Sequence, residues 1–279
     1  MLTPEDLQRF LAEDLGDRGD ITTLALVPPR QGEARMVAKA HAVLAGTQEA
    51  EQVFRHFGVD VEHHAKEGDW VAPGRTVLTA RGPARGILTA ERLALNLVMR
   101  MSGIATLTRT LVDQAQALNP RCKVAATRKT TPGFRAYEKR AVIVGGGDPH
   151  RLGLYDAFLV KDNHLALVPT VTEAVRRCRA FAPERPVEIE ADTLAQAVEA
   201  AEAGADMVLL DNFTPKEAAE ASRLLRGRFP KLLIEVSGGI TPATLPAYAP
   251  HADRVSLGFL THSVKAIDFG LDTVIDRDQ

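Results

Sequence analysis

The chain has 279 residues, 45% hydrophobic and 25% charged, which is enough for one large or two modest domains with a sizeable core. Its 34 basic and 36 acidic residues give a net charge of −2, which argues against the broad basic face of a general nucleic-acid-binding protein. No apolar run approaches the roughly 18 residues of a membrane span, and the N-terminus lacks signal-peptide character, so we expect a cytoplasmic protein. The two cysteines, Cys122 and Cys178, lack metal-ligand spacing and are expected to be buried free thiols.

The first part of the chain mixes helical and extended patterns. Thr3 and Pro4 are typical of a helix start. The patterns that follow predict a strand, a helix, a hairpin of two short strands and a long buried helix, over residues 33–45, 47–57, 59–80 and 89–118 respectively. We expect the long helix to be broken or kinked at Ser102-Gly103.

From Arg121 onward, strand and helix patterns alternate. The predicted strands are Cys122–Ala126, Asp156–Val160, Val187–Glu190, Met207–Leu210, Leu232–Val236 and Arg254–Leu257. The predicted helices are Thr170–Phe181, Thr193–Ala203, Pro215–Phe229 and a shorter one after Thr241. This alternation indicates parallel strands in βαβ units. A β/α barrel is therefore the first choice for this part, with a doubly wound open sheet as the second and a domain boundary near Ser102–Thr110.

Polar or glycine-rich segments stand where each of these predicted strands ends. In chain order they are Thr127-Arg128-Lys129, Lys161-Asp162-Asn163-His164, Glu190, Asp211-Asn212, Ser237-Gly238-Gly239 and Gly258. In a β/α barrel the loops that follow the strands build the active site. Cations, carboxylates and flexible turns brought to one face indicate a site for a multiply charged anion.

Each of these features also has a plainer interpretation. Basic residues could form a solvated surface, and Glu190 and Asp211 could cap or begin helices. The Ser237 turn could be only a tight loop, although backbone amides at that place also cradle phosphate. Two carboxylates beside a phosphate site suggest Mg²⁺ held jointly with a polyphosphate ligand. A lysine at a strand end could instead form a Schiff base, as in aldolases.

Further motifs accompany these strand ends over almost the whole chain. They are Leu15-Gly16, Gly19-Asp20-Ile21-Thr22, Glu91-Arg92, Thr130 with Pro132-Gly133, Gly145-Gly146-Gly147, His150-Arg151-Leu152-Gly153-Leu154, Glu235-Val236 and Gly258-Phe259-Leu260-Thr261-His262-Ser263. Together they resemble the quinolinate phosphoribosyltransferase family, also called carboxylating nicotinate-nucleotide pyrophosphorylase. The departures are small. Arg140 stands where the family usually has an aromatic residue, and Asp148-Pro149 stand where Asn is usual.

The resemblance implies an N-terminal α/β sandwich domain over residues 1–105 and an open β/α barrel over residues 106–265. Residues 266–279 are expected to pack back on the first domain. It also implies a homodimer with shared active sites, or a higher oligomer built from it. From the charge balance and the short apolar runs we expect neither nucleic-acid nor membrane partners.

The implied reaction joins quinolinate to phosphoribosyl pyrophosphate with Mg²⁺, giving nicotinate mononucleotide, pyrophosphate and CO₂ in NAD biosynthesis. The implied catalytic residues are Lys129, Glu190 and Asp211, the last two also serving Mg²⁺. The implied substrate-binding residues are Arg92, reaching in from the partner subunit, and Thr127, Arg128, Lys129, His150, Arg151 and Lys161. The implied phosphate-binding residues are Ser237, Gly238, Gly239, Leu257, Gly258 and Phe259.

Three alternatives stay open at this point. One is a related phosphoribosyltransferase associated with molybdate uptake. Another is a Schiff-base aldolase that uses Lys129 or Lys161 as its nucleophile. The third is a phosphate-binding barrel without catalytic activity.

Overall fold

The computed structural model describes residues 1–274. Its helices are α1 (Pro4–Leu15), α2 (Ile21–Leu26), α3 (Thr47–His56), α4 (Ala84–Gln116), α5 (Arg135–Val144), α6 (Asp162–Leu165), α7 (Val171–Phe181), α8 (Leu194–Glu202), α9 (Pro215–Arg228), α10 (Leu245–Tyr248) and α11 (Phe259–His262). Its strands are β1 (Gln31–Ala38), β2 (Ala42–Val43), β3 (Asp60–His63), β4 (Trp70–Val71), β5 (Thr76–Pro83), β6 (Lys123–Ala125), β7 (Phe158–Val160), β8 (Val187–Ala191), β9 (Met207–Asp211), β10 (Leu233–Ser237), β11 (Arg254–Ser256) and β12 (Phe269–Val274). Within the described range, no helix combines the length and the apolarity needed to cross a membrane.

The described chain forms two compact units. The first contains Met1–Leu107, Ile143–Gly145 and the residues from Val264 onward, and the second contains Thr108–Val142 and Gly146–Ser263. The C-terminal segment was expected to pack back on the first domain. Its residues 266–274 belong to the first unit, and residues 275–279 lie outside the described part of the chain.

The first unit is built on a four-stranded antiparallel sheet in the order β12-β1-β5-β3. Side chains alternate across this sheet, so that Ala34, Met36 and Ala38 of β1 are fully buried while Arg35 is exposed. Helix α3 adds Val53 and Phe54 to the buried side chains of this unit. The N-terminal α/β sandwich domain implied by the resemblance is confirmed.

The hairpin predicted over residues 59–80 is confirmed by the antiparallel pairing of β3 with β5, but the short strand β4 between them was not predicted. Strand β3 pairs with β5, whereas β4 pairs with β2 in a separate two-stranded sheet. Hydrogen bonds between Leu44 and the loop at Gly68-Asp69 draw β4 towards β2. Helix α2 was also not predicted. The Asp20 carboxylate caps α2 by accepting the Thr23 N–H at 2.9 Å.

The break expected at Ser102-Gly103 is absent, and α4 runs unbroken for 33 residues. Ser102 Oγ accepts the Ala45 N–H at 3.0 Å and donates to the Ala45 carbonyl at 3.1 Å. A Cβ at Gly103 would collide with the Lys265 carbonyl. Glycine therefore serves a close approach of two backbone segments here, within an intact helix.

The second unit is a six-stranded parallel sheet in the order β6-β11-β10-β9-β8-β7. All six predicted strands are confirmed to within two residues. Strand β6 is the first of the six in sequence and pairs with β11, the last, as in a barrel. A doubly wound sheet would not join these two strands. Strands β6 and β7 are not hydrogen-bonded to each other within residues 1–274, so the barrel is open.

Threonines begin three of the barrel helices. The hydroxyls of Thr170, Thr193 and Thr214 accept the backbone N–H three residues further on, and the latter two form full capping boxes. The predicted helices α7, α8 and α9 are thereby confirmed. Helix α5 was not among the predicted helices.

Candidate active site

Side-chain alternation along the parallel strands places chemically active residues on one face of the sheet, in the barrel interior. The pairs that share this face are Leu159 and Lys161, Glu188 and Glu190, Leu209 and Asp211, Glu235 and Ser237, and Arg254 and Ser256. A cavity of about 670 Å³ opens where these strands end.

The structure brings together all but one of the residues named as site candidates. Those that line the cavity are Thr127, Arg128, Lys129, His150, Arg151, Lys161, Glu190, Asp211, Ser237, Gly238, Gly239, Leu257, Gly258 and Phe259. Arg92 is the exception, since it lies exposed on α4 in the first unit and does not line the cavity.

Two cavity arginines stand without partners. No described residue forms a hydrogen bond or ion pair with the guanidinium of Arg128 or Arg151. The Nε atom of Arg128 is also buried without a hydrogen-bond acceptor. Burial, followed by the charge of Arg128, lowers the pKa of Arg151. Two partly buried cations that repel each other and lack a carboxylate require an anion from outside the chain.

The two predicted carboxylates differ in their surroundings. Glu190 forms an ion pair with Lys161 Nζ, whereas Asp211 accepts a hydrogen bond from Asn212 Nδ2 at 2.6 Å. Burial raises the pKa of Asp211, although the charge of Lys161 partly offsets this. Neither residue caps or begins a helix, because α8 and α9 begin after their threonine caps. The interpretation of these acids as helix caps is therefore wrong.

The turn after β10 has the backbone geometry of an anion cradle. Gly238 and Gly239 both have positive φ, +92° and +59°, and a Cβ at Gly238 would collide with the Asn212 side chain. Among residues 1–274, no acceptor pairs with the N–H groups of Gly238, Gly239, Gly258 or Phe259. These amides are available to phosphate oxygens. The Leu257 N–H is not, since it donates to the Ala125 carbonyl at 2.9 Å.

A buried charge network lies beside the cavity, and its acids were missed as site residues in the sequence. His150 Nε2 is 3.2 Å from a Glu235 carboxylate oxygen and 3.4 Å from one of Glu188. Arg254 contacts Glu235 at 3.1 Å and Asp148 at 3.2 Å. The alternation of side chains along a strand could have revealed these residues. Glu188 and Glu235 stand two positions before Glu190 and Ser237, so each shares a face with a predicted site residue.

The network favours a protonated His150. Burial lowers the pKa of His150, but the hydrogen bonds to Glu188 and Glu235 outweigh it and raise the pKa to about 9. The Arg151 N–H, 2.7 Å from Nδ1, favours the neutral ring instead. Hydrogen bonds to charged groups are worth about 1.5–3 kcal/mol against about 1 kcal/mol for neutral ones, so the two carboxylates prevail. His150 thus adds a third cation to the cavity wall at neutral pH.

His262, Asn212 and Ser256 also line the cavity, although none was named as a site candidate. His262 Nδ1 is 2.6 Å from Ser263 Oγ, which fixes the ring orientation. His262 and Asn212 lie in segments singled out in the sequence, and only the fold turns their side chains to the same cavity as the arginines.

Comparisons with known proteins agree over nearly the whole chain. Models of the quinolinate phosphoribosyl transferase N-terminal and C-terminal domains match residues 20–102 and 104–272. A probable carboxylating nicotinate-nucleotide pyrophosphorylase of Archaeoglobus fulgidus is 44% identical, over 91% of this chain and 97% of its own length. The human carboxylating nicotinate-nucleotide pyrophosphorylase is 43% identical, over 86% of this chain and 81% of its own.

A solved structure of nicotinate-nucleotide pyrophosphorylase from Ehrlichia chaffeensis superposes with a TM-score of 0.92. It is 34% identical in sequence and covers 98% of this chain and 99% of its own. The chain belongs to the quinolinate phosphoribosyl transferase family.

Proposed function

We propose that this protein transfers phosphoribosyl from phosphoribosyl pyrophosphate to quinolinate, with decarboxylation, in the biosynthesis of NAD. The products are nicotinate mononucleotide, pyrophosphate and CO₂. The observation that carries this proposal is the pair of unpartnered guanidinium groups, Arg128 and Arg151, beside the cationic His150 in one cavity. Quinolinate is a dianion, and its two carboxylates match this cluster of cations. The family match sets aside the aldolase alternative and the phosphate-binding barrel without catalytic activity.

The geometry supports a division of the cavity between the two substrates. The two arginines would hold the quinolinate carboxylates, with the charge of His150 close by, and the free amides of the Gly238 and Gly258 turns would hold phosphate. The ring nitrogen then attacks the anomeric carbon, forming the N–C bond as the C–O bond to pyrophosphate breaks. Positive charge develops on the ribose in this step, and the carboxylates of Glu190 and Asp211 stabilise it.

Decarboxylation follows from the new bond. The carbon–carbon bond to the adjacent carboxylate breaks, CO₂ leaves, and the electron pair stays on the ring carbon next to the positively charged nitrogen. That carbon then takes up a proton. Lys129 and Lys161 line the same cavity, and we propose that their positive charges stabilise the anionic groups during both steps.

The residues present fit a magnesium ion through Asp211. Its carboxylate faces the cavity with a raised pKa, due chiefly to burial, so a nearby cation would favour the charged form. Glu190 is already engaged by Lys161 and fits a direct ligand less well. When bound, Mg²⁺ would offset the charge of the pyrophosphate group.

The assay that tests this function measures pyrophosphate release in the presence of quinolinate, phosphoribosyl pyrophosphate and Mg²⁺. We expect release that depends on all three. Asp211→Asn should lower kcat more than quinolinate affinity and shift the Mg²⁺ requirement, because a hard cation loses an anionic partner. Glu190→Gln is the matched variant and should change kcat with a smaller effect on Mg²⁺. Wild-type kcat in both variants at every Mg²⁺ concentration would exclude these roles.

We propose further that the protein works as a homodimer in which Arg92 completes the partner's cavity. Helix α2 supports this, since it exposes Ile21, Leu24 and Leu26 to solvent. The Asp20 carboxylate ties the start of α2 to Thr89, one turn before Arg92 on α4, at 3.3 Å. An apolar face beside an exposed arginine is typical of an interface that also delivers a charge.

Mixing two inactive variants tests the shared site. Arg92→Ala and Lys129→Ala homodimers should both be nearly inactive. With random equal mixing, half of the dimers are mixed, and each mixed dimer has one intact site out of two. Activity should therefore recover to about a quarter of the wild-type value in a symmetric dimer. No recovery, with subunit exchange verified by mass, would place Arg92 outside the partner's site.

We also propose a cytoplasmic location. Both cysteines are free, with Cys122 buried as expected and Cys178 only half-buried, which corrects the expectation for the latter. Burial, with the charge of Asp253, raises the pKa of the Cys122 thiol to about 11, so this thiol is unreactive. Free thiols are typical of reducing compartments.

A further inference from the structure

Lys139 is a buried cation to which the proposed chemistry assigns no role. It lies on α5 with 1% of its surface exposed, among the largest fully buried side chains of the described residues. Its Nζ donates a hydrogen bond to the Pro149 carbonyl. Within residues 1–274, no carboxylate lies within ion-pair distance of Nζ. A buried ammonium without a carboxylate partner is costly, so its one hydrogen bond must matter to the structure around it.

That hydrogen bond anchors a turn with unusual backbone geometry. Pro149 precedes His150, which has a φ of +53°, a region that residues other than glycine seldom adopt. The His150 N–H donates to Asp148 Oδ1 at 2.7 Å. Before the turn, Gly147 packs so tightly that a Cβ would collide with the side chains of Thr108 and Val142.

The residue that this turn delivers is Arg151. Its guanidinium lines the cavity, and no described side chain or carbonyl accepts a hydrogen bond from it. Its direction therefore depends on the backbone that carries it. Among the described residues, Lys139 is the only charged side chain that donates a hydrogen bond to the Pro149 carbonyl.

We propose that Lys139 is a positioning residue, whose ammonium holds the Pro149 carbonyl and thereby keeps Arg151 aimed into the cavity. Only the kinetic test of this role depends on the proposed function, because it uses quinolinate as the substrate. The ammonium is expected to act through Arg151 and to have no contact with either substrate.

Charged groups from several segments set the protonation of Lys139. Burial lowers the pKa of Lys139 to about 8, with Arg135 of the same helix and Arg128 after β6 acting in the same direction. Asp148 and Asp156, on the segment that follows α5, partly offset this. The ammonium is thus present at pH 7 and is lost as the pH rises through 8. A neutral amine donates a weaker hydrogen bond, so quinolinate affinity should decline above pH 8.

The test compares Lys139→Met with the wild type by kinetics. We expect the quinolinate KM to rise about five- to tenfold, with the KM for phosphoribosyl pyrophosphate within about twofold. The part of the decline centred near pH 8 should disappear in the variant, which leaves the decline centred near pH 9 where His150 loses its proton. Leu225→Ala, at a fully buried position on α9, is the control for general destabilisation and should leave both KM values unchanged.

A double-mutant cycle shows whether Lys139 acts through Arg151. In an Arg151→Ala background, Lys139→Met should cause no further loss of quinolinate affinity. Losses that multiply, or an unchanged quinolinate KM in folded Lys139→Met, would overturn the inference.

A crystal structure of Lys139→Met decides the matter independently of any substrate. We expect His150 to leave the left-handed region and Arg151 to shift. An unmoved turn would overturn the inference even if quinolinate binds. Absence of quinolinate turnover in the wild type would instead overturn the proposed function, and the crystal structure would still decide the role of Lys139.

Discussion

Replacing Arg128 and Arg151 together by alanine should lower kcat/KM for quinolinate by roughly a hundredfold to ten-thousandfold. Each guanidinium stands unpaired in the cavity, so each can form charged hydrogen bonds with a substrate carboxylate. Such bonds are worth about 1.5–3 kcal/mol, or tenfold to over a hundredfold per residue. Most of the loss should appear in the quinolinate KM, while the KM for phosphoribosyl pyrophosphate changes little.

The two single variants measure whether the losses of affinity at Arg128 and Arg151 are additive. Arg128 lowers the pKa of Arg151, which means that the two cations repel each other. Each single variant relieves this repulsion, so the two losses need not add. Arg177→Ala is the matched control, because Arg177 is an exposed arginine of the same unit that pairs with Glu173 outside the cavity. If the double variant bound quinolinate as well as Arg177→Ala does, both arginines would be excluded from the site.

Glu235→Gln should lower the free energy of unfolding by about 3 kcal/mol, whereas Glu188→Gln should change it by less than about 1 kcal/mol. Burial alone would raise the pKa of Glu235, but His150 and Arg254 lower it to about 2, so the charged form stabilises the fold. The pKa of Glu188 is instead raised, first by burial and then by the charge of Glu235. One Glu188 oxygen is also buried without a partner. Neutralising Glu235 thus removes the carboxylate that His150 and Arg254 share, while neutralising Glu188 removes a repulsion.

Urea unfolding at several pH values measures both effects. The folded-state pKa of His150, about 9, lies above its ordinary value, so its contribution to stability is complete below about pH 6.5 and is lost as the pH rises through 9. The contribution of Glu235 is present above about pH 4.5 and is lost as the pH falls through 2. Glu235→Gln should flatten the alkaline decline. Equal losses in the two glutamine variants would contradict this account of the network.

The amino-acid sequence by itself determined the barrel and most of the cavity wall. The six parallel strands could be predicted because short apolar runs separated by amphipathic helices are a local signal, and threonine caps mark where those helices begin. The residues at the strand ends could be named because parallel strands bring their carboxyl ends to one side. Arg128, Lys161 and Asp211 reach one cavity for that reason.

Only the tertiary structure decided the features that depend on partners distant in sequence. Strand β4 could not be predicted because its partner β2 lies outside the hairpin segment. Helix α4 stays whole because Ser102 bonds to Ala45, 57 residues away. In the sequence, Glu188 and Glu235 are indistinguishable from ordinary strand residues. Only the fold places both of them beside His150. A lysine is usually exposed, and only the packing of α5 shows that Lys139 is buried. Local pattern specifies which face a side chain takes, but burial and charge pairing arise only when separate segments meet.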